Sequence, residues 1–209
     1  LGDVYKRQLS SDSIGSMNEA QLDYVAKIER NTEKMHLIIN DFLNVSQLEM
    51  GNFATEVTDI DVDEFLENIY EEFSIRIKKK KIILQKDYDS SSVTIHTDKG
   101  LLHNIVSNLI SNAVKYTPEG GVIQISCTLE KNHITFVVAD SGIGIPKNEQ
   151  DRLFTKFFRA TNAKTDVTEG TGLGLYIVAK AVDQLGGNIS LSSKEGSGAA
   201  FLVTIPRNL

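Results

Sequence analysis

A single cysteine, three prolines and the lack of any long apolar run first define this sequence by what it excludes. With Cys127 alone, no disulfide can close within the chain, and the composition suits a reducing cytosol. No apolar stretch approaches the ~18 residues that a membrane-spanning helix needs, and the N-terminus lacks the apolar segment of a secretory signal. Basic residues are not in excess: 22 Lys and Arg against 28 Asp and Glu leave a net charge of −6, which argues against nucleic acid as the main ligand. Internal repeats and low-complexity tracts are missing. So are GxxxxGK[ST] and GxGxxG, which removes the P-loop and the dinucleotide fingerprint. The four histidines, His36, His96, His103 and His133, form no pair with metal-ligand spacing and read as surface or satisfied structural residues.

The 41% hydrophobic and 24% charged content that remains is that of a soluble globular protein. The 209 residues allow one full domain and a smaller element. Residues 1–8 (LGDVYKRQ) have no helical period and read as a non-native leader. A Ser/Gly/Asp/Asn-rich loop follows to about 18. Residues 18–49 then read as one long helix, with Val25, Ile28, Thr32, Met35, Ile39, Phe42 and Ser46 at heptad steps. Leu22, Ile38, Leu43, Val45 and Leu48 widen the stripe. Either a four-helix bundle or packing on the chain's own domain would bury it.

Gly51 should end that helix, with a polar connector over 52–60. Asp61-Val62-Asp63-Glu64 resembles a capping box and opens a second helix, whose Val62, Phe65, Leu66, Ile69, Phe73 and Ile77 share a face. The run Lys78–Lys81 closes it and reads as a solvated helix end complementing the dipole. Strands are expected at 82–88 and 93–97, a helix at 99–116, a hairpin at 122–130 and 133–139, and a helix at 147–156. A polar loop at 160–170 precedes a helix at 173–185 and strands at 188–193 and 199–205. Adjacent antiparallel strands mixed irregularly with helices indicate an α+β two-layer sandwich rather than a doubly wound sheet.

Four places carry chemistry. In the third helix Asn104, Asn108, Asn112 and Lys115 fall within about an 80° arc, opposite Leu102, Val106, Leu109 and Ala113. Asn is a poor helix former. This face is either plain solvent surface or one that offers amide oxygens to Mg²⁺ and an ammonium to phosphate. Asp140-Ser141-Gly142-Ile143-Gly144-Ile145-Pro146 follows a buried-looking strand. It is either a tight turn or a carboxylate placed to accept from an exocyclic amine, with glycines allowing close approach. Glu169-Gly170-Thr171-Gly172-Leu173-Gly174-Leu175 precedes a helix. It is either a flexible turn or a set of N–H groups aimed at phosphate. In Leu153-Phe154-Thr155-Lys156-Phe157-Phe158-Arg159 the phenylalanines read as core anchors for a loop, with Arg159 free to reach phosphate.

Taken in order, these segments resemble the sensor histidine kinase family, within the superfamily that includes gyrase, a heat-shock chaperone and mismatch-repair proteins. NIVSNLISNAVKYTPEGG resembles the N box, DSGIGIP the first glycine box, LFTKFFRA the F box, EGTGLGL the second glycine box and GSGAAF the terminal glycine motif. The resemblance covers about residues 18–206, and INDFLNVSQLEMG is close to the family form of the second dimerisation helix.

The resemblance implies a Bergerat-type α/β sandwich with a mixed sheet and helices on one face, binding Mg²⁺-ATP. Residues 9–50 would be part of a dimerisation and phosphotransfer region, 51–60 a linker and 61–209 the catalytic domain. Asp140 would select adenine. Asn112 would ligate Mg²⁺ with Asn108 in support, Lys115 and Arg159 would meet phosphates, and Tyr116 would flank the nucleotide. Asn108, Lys115 and Arg159 would be catalytic. Gly142, Gly144, Gly170, Gly172 and Gly174 would shape the pocket and the hinge of a lid over about 159–171. Ile145, Phe157, Thr171 and Leu173 complete the nucleotide-binding set. Hydrolysing members of the superfamily carry glutamate where this chain has Asn108. The family moves the ATP γ-phosphoryl group to a histidine, then to an aspartate on a response regulator, and works as a homodimer whose parent chain can be anchored in the cell membrane. The helix bearing the acceptor histidine is not in this sequence. The alternatives are a serine kinase of the anti-sigma type, against which the 18–49 helix speaks, and a non-catalytic nucleotide-gated dimerisation module.

Overall fold

Side chains that bond the backbone at helix starts set the element boundaries in the computed structural model, which describes residues 17–49, 56–88, 93–165 and 170–208. The leader, most of the loop after it, Gly51, much of the connector and Glu169 with the preceding lid residues lie outside the described residues. Helix α1 spans Glu19–Glu49. Asn18 and Gln21 cap it reciprocally, each side-chain oxygen accepting from the other's backbone N–H at 2.9 Å. Strand β1 is Val57–Asp61, and helix α2 is Val62–Lys79. Asp61 accepts from the N–H groups of Asp63 and Glu64, as a capping residue should.

Strands β2 (Ile83–Tyr88) and β3 (Thr94–Asp98) lead to helix α3, Lys99–Tyr116. Hairpin strands β4 (Val122–Leu129) and β5 (His133–Asp140) follow. After a 3₁₀ segment at Lys147–Arg152 come the short helix α4 (Thr161–Thr165), helix α5 (Gly174–Gln184) and strands β6 (Asn188–Ser193) and β7 (Ala199–Pro206).

Five strands form one mixed sheet in the order β2-β4-β5-β7-β6; β2 and β4 are parallel and the other neighbours antiparallel. Period-two alternation decides which side is covered. Ile123, Ile125, Ile134, Phe136, Val138, Phe201, Val203 and Ile205 are buried, whereas Gln124 and Leu202 between them are exposed. The buried row packs with the apolar faces of α2, α3 and α5, so the helices cover one face of the sheet. This is the two-layer α/β sandwich of the Bergerat fold.

Two features depart from the sequence expectation. Residues 57–61 are not plain connector: β1 pairs antiparallel with β3, Ile60 facing Ile95, and both isoleucines are buried. The helix expected over 147–156 is a 3₁₀ segment that stops at Arg152. Gln150 donates to the carbonyls of Ile145 and Ser193, both at 3.0 Å, and the Thr155 hydroxyl takes the Arg152 carbonyl at 2.7 Å, a side-chain bond that competes with helix continuation at the point where the segment stops.

Two compact units divide the chain, Leu1–Asn40 and Asp41–Leu209. In the first, Leu22, Tyr24, Ile28, Met35, Leu37, Ile38 and Ile39 are exposed. The second holds the whole sandwich. It also holds the last turns of α1, where Val45 and Leu48 are buried while Phe42 and Leu43 stay exposed. Among the described residues, no helix is long and apolar enough to cross a membrane.

Candidate functional site

Asp98 starts the helix on which the site is built. One of its carboxylate oxygens accepts from Leu101 N–H and the other from Glu56 N–H, each at 2.9 Å. From there α3 buries Leu101, Leu102, Ile105, Val106, Leu109, Ile110, Ala113 and Val114. The opposite face holds Asn104, Asn108, Asn112 and Lys115, all half-buried. That face is thus not fully open to solvent, and at Asn108 and Lys115 glycines lie against it.

Asn108 donates its amide N–H to the Asn104 carbonyl at 2.7 Å. That bond fixes the amide, and its oxygen lies only 2.8 Å from where a side chain on Gly174 would begin. Lys115 brings its ammonium against Gly170 in the same way, and the ammonium lies 4.7 Å from the Tyr116 ring centre. The asparagine helix and the second glycine box thus meet at two points, which on the helix lie about two turns apart. Gly174 is the first residue of α5, so the N–H groups of a helix start lie beside the Asn108 amide oxygen, with the Lys115 ammonium against the loop just before it.

The adenine-reading candidate sits at the end of a strand. Asp140 continues the inward row of Ile134, Phe136 and Val138, so its carboxylate is carried under the helix layer. Burial pushes its pKa up, and hydrogen bonds from the Gly142 and Ala199 backbone pull it partly back. The Gly142 bond is 2.8 Å. A Cβ on Gly142 would lie 2.6 Å from both that carboxylate and the Tyr116 carbonyl. The first glycine loop is therefore pressed onto the end of α3 and tolerates no side chain there. Ile145 packs against the core and its N–H donates to Ser193 Oγ at 3.0 Å. The Gly144 carbonyl accepts from Asn162 at 3.0 Å, which ties α4 to this loop.

The phenylalanine segment departs from expectation. Only Phe154 packs against the core; Phe157 is 68% exposed. Phe157 also has φ of +61°, a conformation that a bulky L-residue seldom adopts. Gly172, itself at φ +75°, lies against the Phe157 backbone, too close for any other residue. Arg159 donates to the Ala163 carbonyl at 2.8 Å, so it is engaged within its own segment rather than standing clear of it. A cavity of about 300 Å³ opens beside Phe157 and Arg159, lined also by Glu149, Arg152 and Lys156; it includes no residue of α3 or of the glycine loops.

Thr171 and Leu173 form the turn into α5. The Thr171 hydroxyl accepts from Leu173 N–H at 3.2 Å and donates to Asp41 at 2.6 Å. Tyr176 OH donates to Glu49 at 2.7 Å, and Lys156 pairs with the same carboxylate. Lys156 and Tyr176 hold the exposed Glu49 below its ordinary pKa. Sequence reasoning missed Asp41, which is an ordinary polar position of a long helix. It also misread Lys80. Far from being solvated, this lysine is half-buried and donates to three carbonyls at the end of α3.

Among the described residues, no cluster of three His, Cys, Asp or Glu side chains could hold a metal ion. His96 and His103 bond exposed carboxylates, Asp59 and Glu72. Any divalent ion at this site would take amide oxygens, phosphate and water, which are the ligands Mg²⁺ prefers.

Residues 97–209 match the family described as histidine kinase-, DNA gyrase B-, and HSP90-like ATPases. The chain belongs to this ATPase family. Sensor histidine kinases are among its relatives. It is 31% identical over 183 residues to the sensor-like histidine kinase SenX3 of Mycolicibacterium smegmatis, a match covering 88% of this chain and 47% of SenX3. It is 31% identical over 180 residues to the sensor histidine kinase WalK of Bacillus subtilis, covering 85% of this chain and 29% of WalK. The chain thus spans less than half of these relatives. Full-length ShkA, crystallised in complex with AMPPNP, superposes with a TM-score of 0.78 at 27% identity, over 93% of this chain and 40% of ShkA. The catalytic domain of histidine kinase ThkA superposes with a TM-score of 0.65 at 29% identity, over 73% of this chain and 97% of that domain.

Proposed function

We propose that this chain is the ATP-binding catalytic part of a sensor histidine kinase, with residues 9–50 contributing part of a dimerisation and phosphotransfer region. One observation carries the reading. Asn108 and Lys115 on α3 lie against Gly174 and Gly170, while Tyr116 and Asp140 close on Gly142. A metal-seeking oxygen, a phosphate-seeking ammonium and an amine-seeking carboxylate are thereby ranged along one helix, in the order of a nucleotide's parts. The AMPPNP carried by ShkA is in keeping with that ligand.

In this reading Asp140 accepts the adenine amine and Tyr116 flanks the base. Lys115 and Arg159 neutralise phosphate oxygens, Arg159 after leaving the Ala163 carbonyl. The oxygens of Asn112 and Asn108 would hold Mg²⁺, which supplies charge neutralisation across the phosphates. Gly142, Gly144, Gly170, Gly172 and Gly174 leave room for the ligand, and Ile145, Phe157, Thr171 and Leu173 line or support the pocket. Phosphoryl transfer of this kind is mostly positioning and charge stabilisation. Asn108 cannot act as a base, so water is not activated and the γ-phosphoryl group awaits a histidine, then the aspartate of a response regulator receiver domain. The exposed apolar residues of α1, Leu22, Ile28, Met35 and Ile39 among them, suit a helical bundle formed by two copies of the parent chain. The catalytic part works in the cytoplasm.

The test is incubation of the folded chain with labelled ATP, alone and with a separately supplied helix hairpin bearing the acceptor histidine. The expected result is no label on the chain and acid-labile label on the hairpin. Label on a serine would favour the anti-sigma type of kinase. Binding without any transfer would leave only a nucleotide-gated module.

A further inference from the structure

The end of α3 is the most heavily loaded place in the candidate site, since Lys115 and Tyr116 are its last two residues. A helix end leaves its last four carbonyls without intrahelical partners. Here three of the four accept a hydrogen bond and the fourth is packed against a glycine. The Ala113 carbonyl accepts from Thr117 N–H at 2.9 Å. The Val114 and Lys115 carbonyls accept from the Lys80 ammonium, each at 2.8 Å. The Tyr116 carbonyl lies against Gly142. The same ammonium takes a third acceptor, the Thr117 carbonyl just past the helix, at 2.9 Å.

An ammonium has three N–H donors, and all three converge on this helix end. A cation there also meets the negative end of the helix dipole. Lys80 reaches it because it closes α2 at the level of the turn that follows α3. Its carbonyl accepts from Gly120 N–H at 2.9 Å, and neighbouring Lys81 pairs with Glu119 at 2.7 Å. The turn after α3 is thus gripped through both backbone and side chain by the end of α2.

On the nucleotide-binding reading above, we infer that Lys80 is a positioning residue for that site. It holds the Lys115 and Tyr116 backbone, and through the Tyr116–Gly142 contact it sets where Asp140 points. It need touch no nucleotide and acts through the carbonyls it holds.

Binding of Mg²⁺-ATP to the whole chain, followed by titration calorimetry, tests this together with amide hydrogen exchange. Lys80→Met should weaken binding at least tenfold and speed exchange at residues 113–117 and Gly142. Lys80→Arg keeps the charge, but its planar fork cannot converge three bonds from one nitrogen, so it should recover part of the affinity. Val203→Ala, a buried truncation in β7 outside the site, serves as the destabilised control and should bind within twofold of the parent. A folded Lys80→Met chain that binds within twofold of the parent overturns the inference, as does a Val203→Ala chain that loses as much affinity. Should Lys80→Met not fold, Lys80→Arg decides by the same twofold limit. If the parent itself bound no nucleotide, the functional reading would fail separately. Exchange at Gly142, faster in Lys80→Met than in Val203→Ala or not, would then decide the positioning role.

Discussion

The Thr171 hydroxyl donates a 2.6 Å hydrogen bond to the Asp41 carboxylate. Thr171 stands between the two glycines that lead into α5, and the same hydroxyl oxygen accepts from Leu173 N–H. The last turns of α1 are therefore bonded to the glycine turn that leads into α5. Asp41→Ala removes the acceptor and leaves the Thr171 hydroxyl to reorient. The expected outcome is faster hydrogen exchange at Gly172 and Leu173, with exchange in β4 and β5 unchanged. Equal exchange at the hinge in both chains would show that the bond restrains nothing.

Asp140 links function to pH. Burial is the main cause of its raised pKa. A carboxyl with a higher pKa folded than unfolded favours folding below the unfolded value of about 3.9, and that contribution is lost as pH rises through the folded value. At pH 7 the buried carboxylate therefore costs stability. Asn keeps an oxygen for the Gly142 N–H without the charge. Asp140→Asn should melt above the parent at pH 7, with the difference closing as the pH falls toward about 4. Its affinity for ATP should fall at least tenfold, or about 1.4 kcal/mol. Thermal melts across pH with calorimetry check both parts; a variant less stable at neutral pH would refute the desolvation argument.

Much of this architecture was legible because local signals agreed with tertiary demands. Asp98 before an apolar-periodic run and Thr117-Pro118 after it bound α3 at the residues expected, Lys99–Tyr116. The strand before Asp140 looked buried in sequence, and the alternation of Ile134, Phe136 and Val138 is what carries Asp140 inward. The failures share a cause. The Lys80 ammonium, the Gln150 amide and the Asp41 carboxylate all bond partners distant in sequence, and polarity alone does not say where a polar side chain points. Strand β1 escaped because, of its five residues, only Ile60 is buried. Phe157 looked like core, yet the glycine turn at 172 holds its backbone in a conformation that leaves the ring outside.

Gly174 separates folding from binding. Glycine costs a helix interior ~1 kcal/mol against alanine, and at the first residue of α5 the backbone change itself should cost less than that. Yet an alanine methyl would begin 2.8 Å from Asn108 Oδ1, an oxygen held in place by the Asn104 bond. Gly174→Ala should leave the unfolding free energy within about 1 kcal/mol of the parent, while Mg²⁺-ATP affinity drops at least tenfold. Denaturant melts and calorimetry on one sample measure both. Retained affinity would mean that the space beside Asn108 is not where the ligand lies.

Asn108 bears on the choice between histidine and water. Its amide is committed on one side to the Asn104 carbonyl, and its oxygen has no basicity with which to take a proton from water. A glutamate there would give up the Asn104 bond and bring a carboxylate beside Gly174, within the same pocket. A positioned general base contributes typically ~10²–10⁴-fold to a rate, and a base placed by substitution alone should realise the low end of that range or less. Asn108→Glu is therefore expected to raise phosphate release from ATP by about tenfold to a hundredfold, while transfer to a supplied histidine helix falls. Colorimetric phosphate release and labelled transfer, run side by side, decide it. A parent chain that already hydrolyses ATP at ordinary turnover rates, ~1 s⁻¹ or above, would remove the argument, because Asn108 would then not be what holds water back.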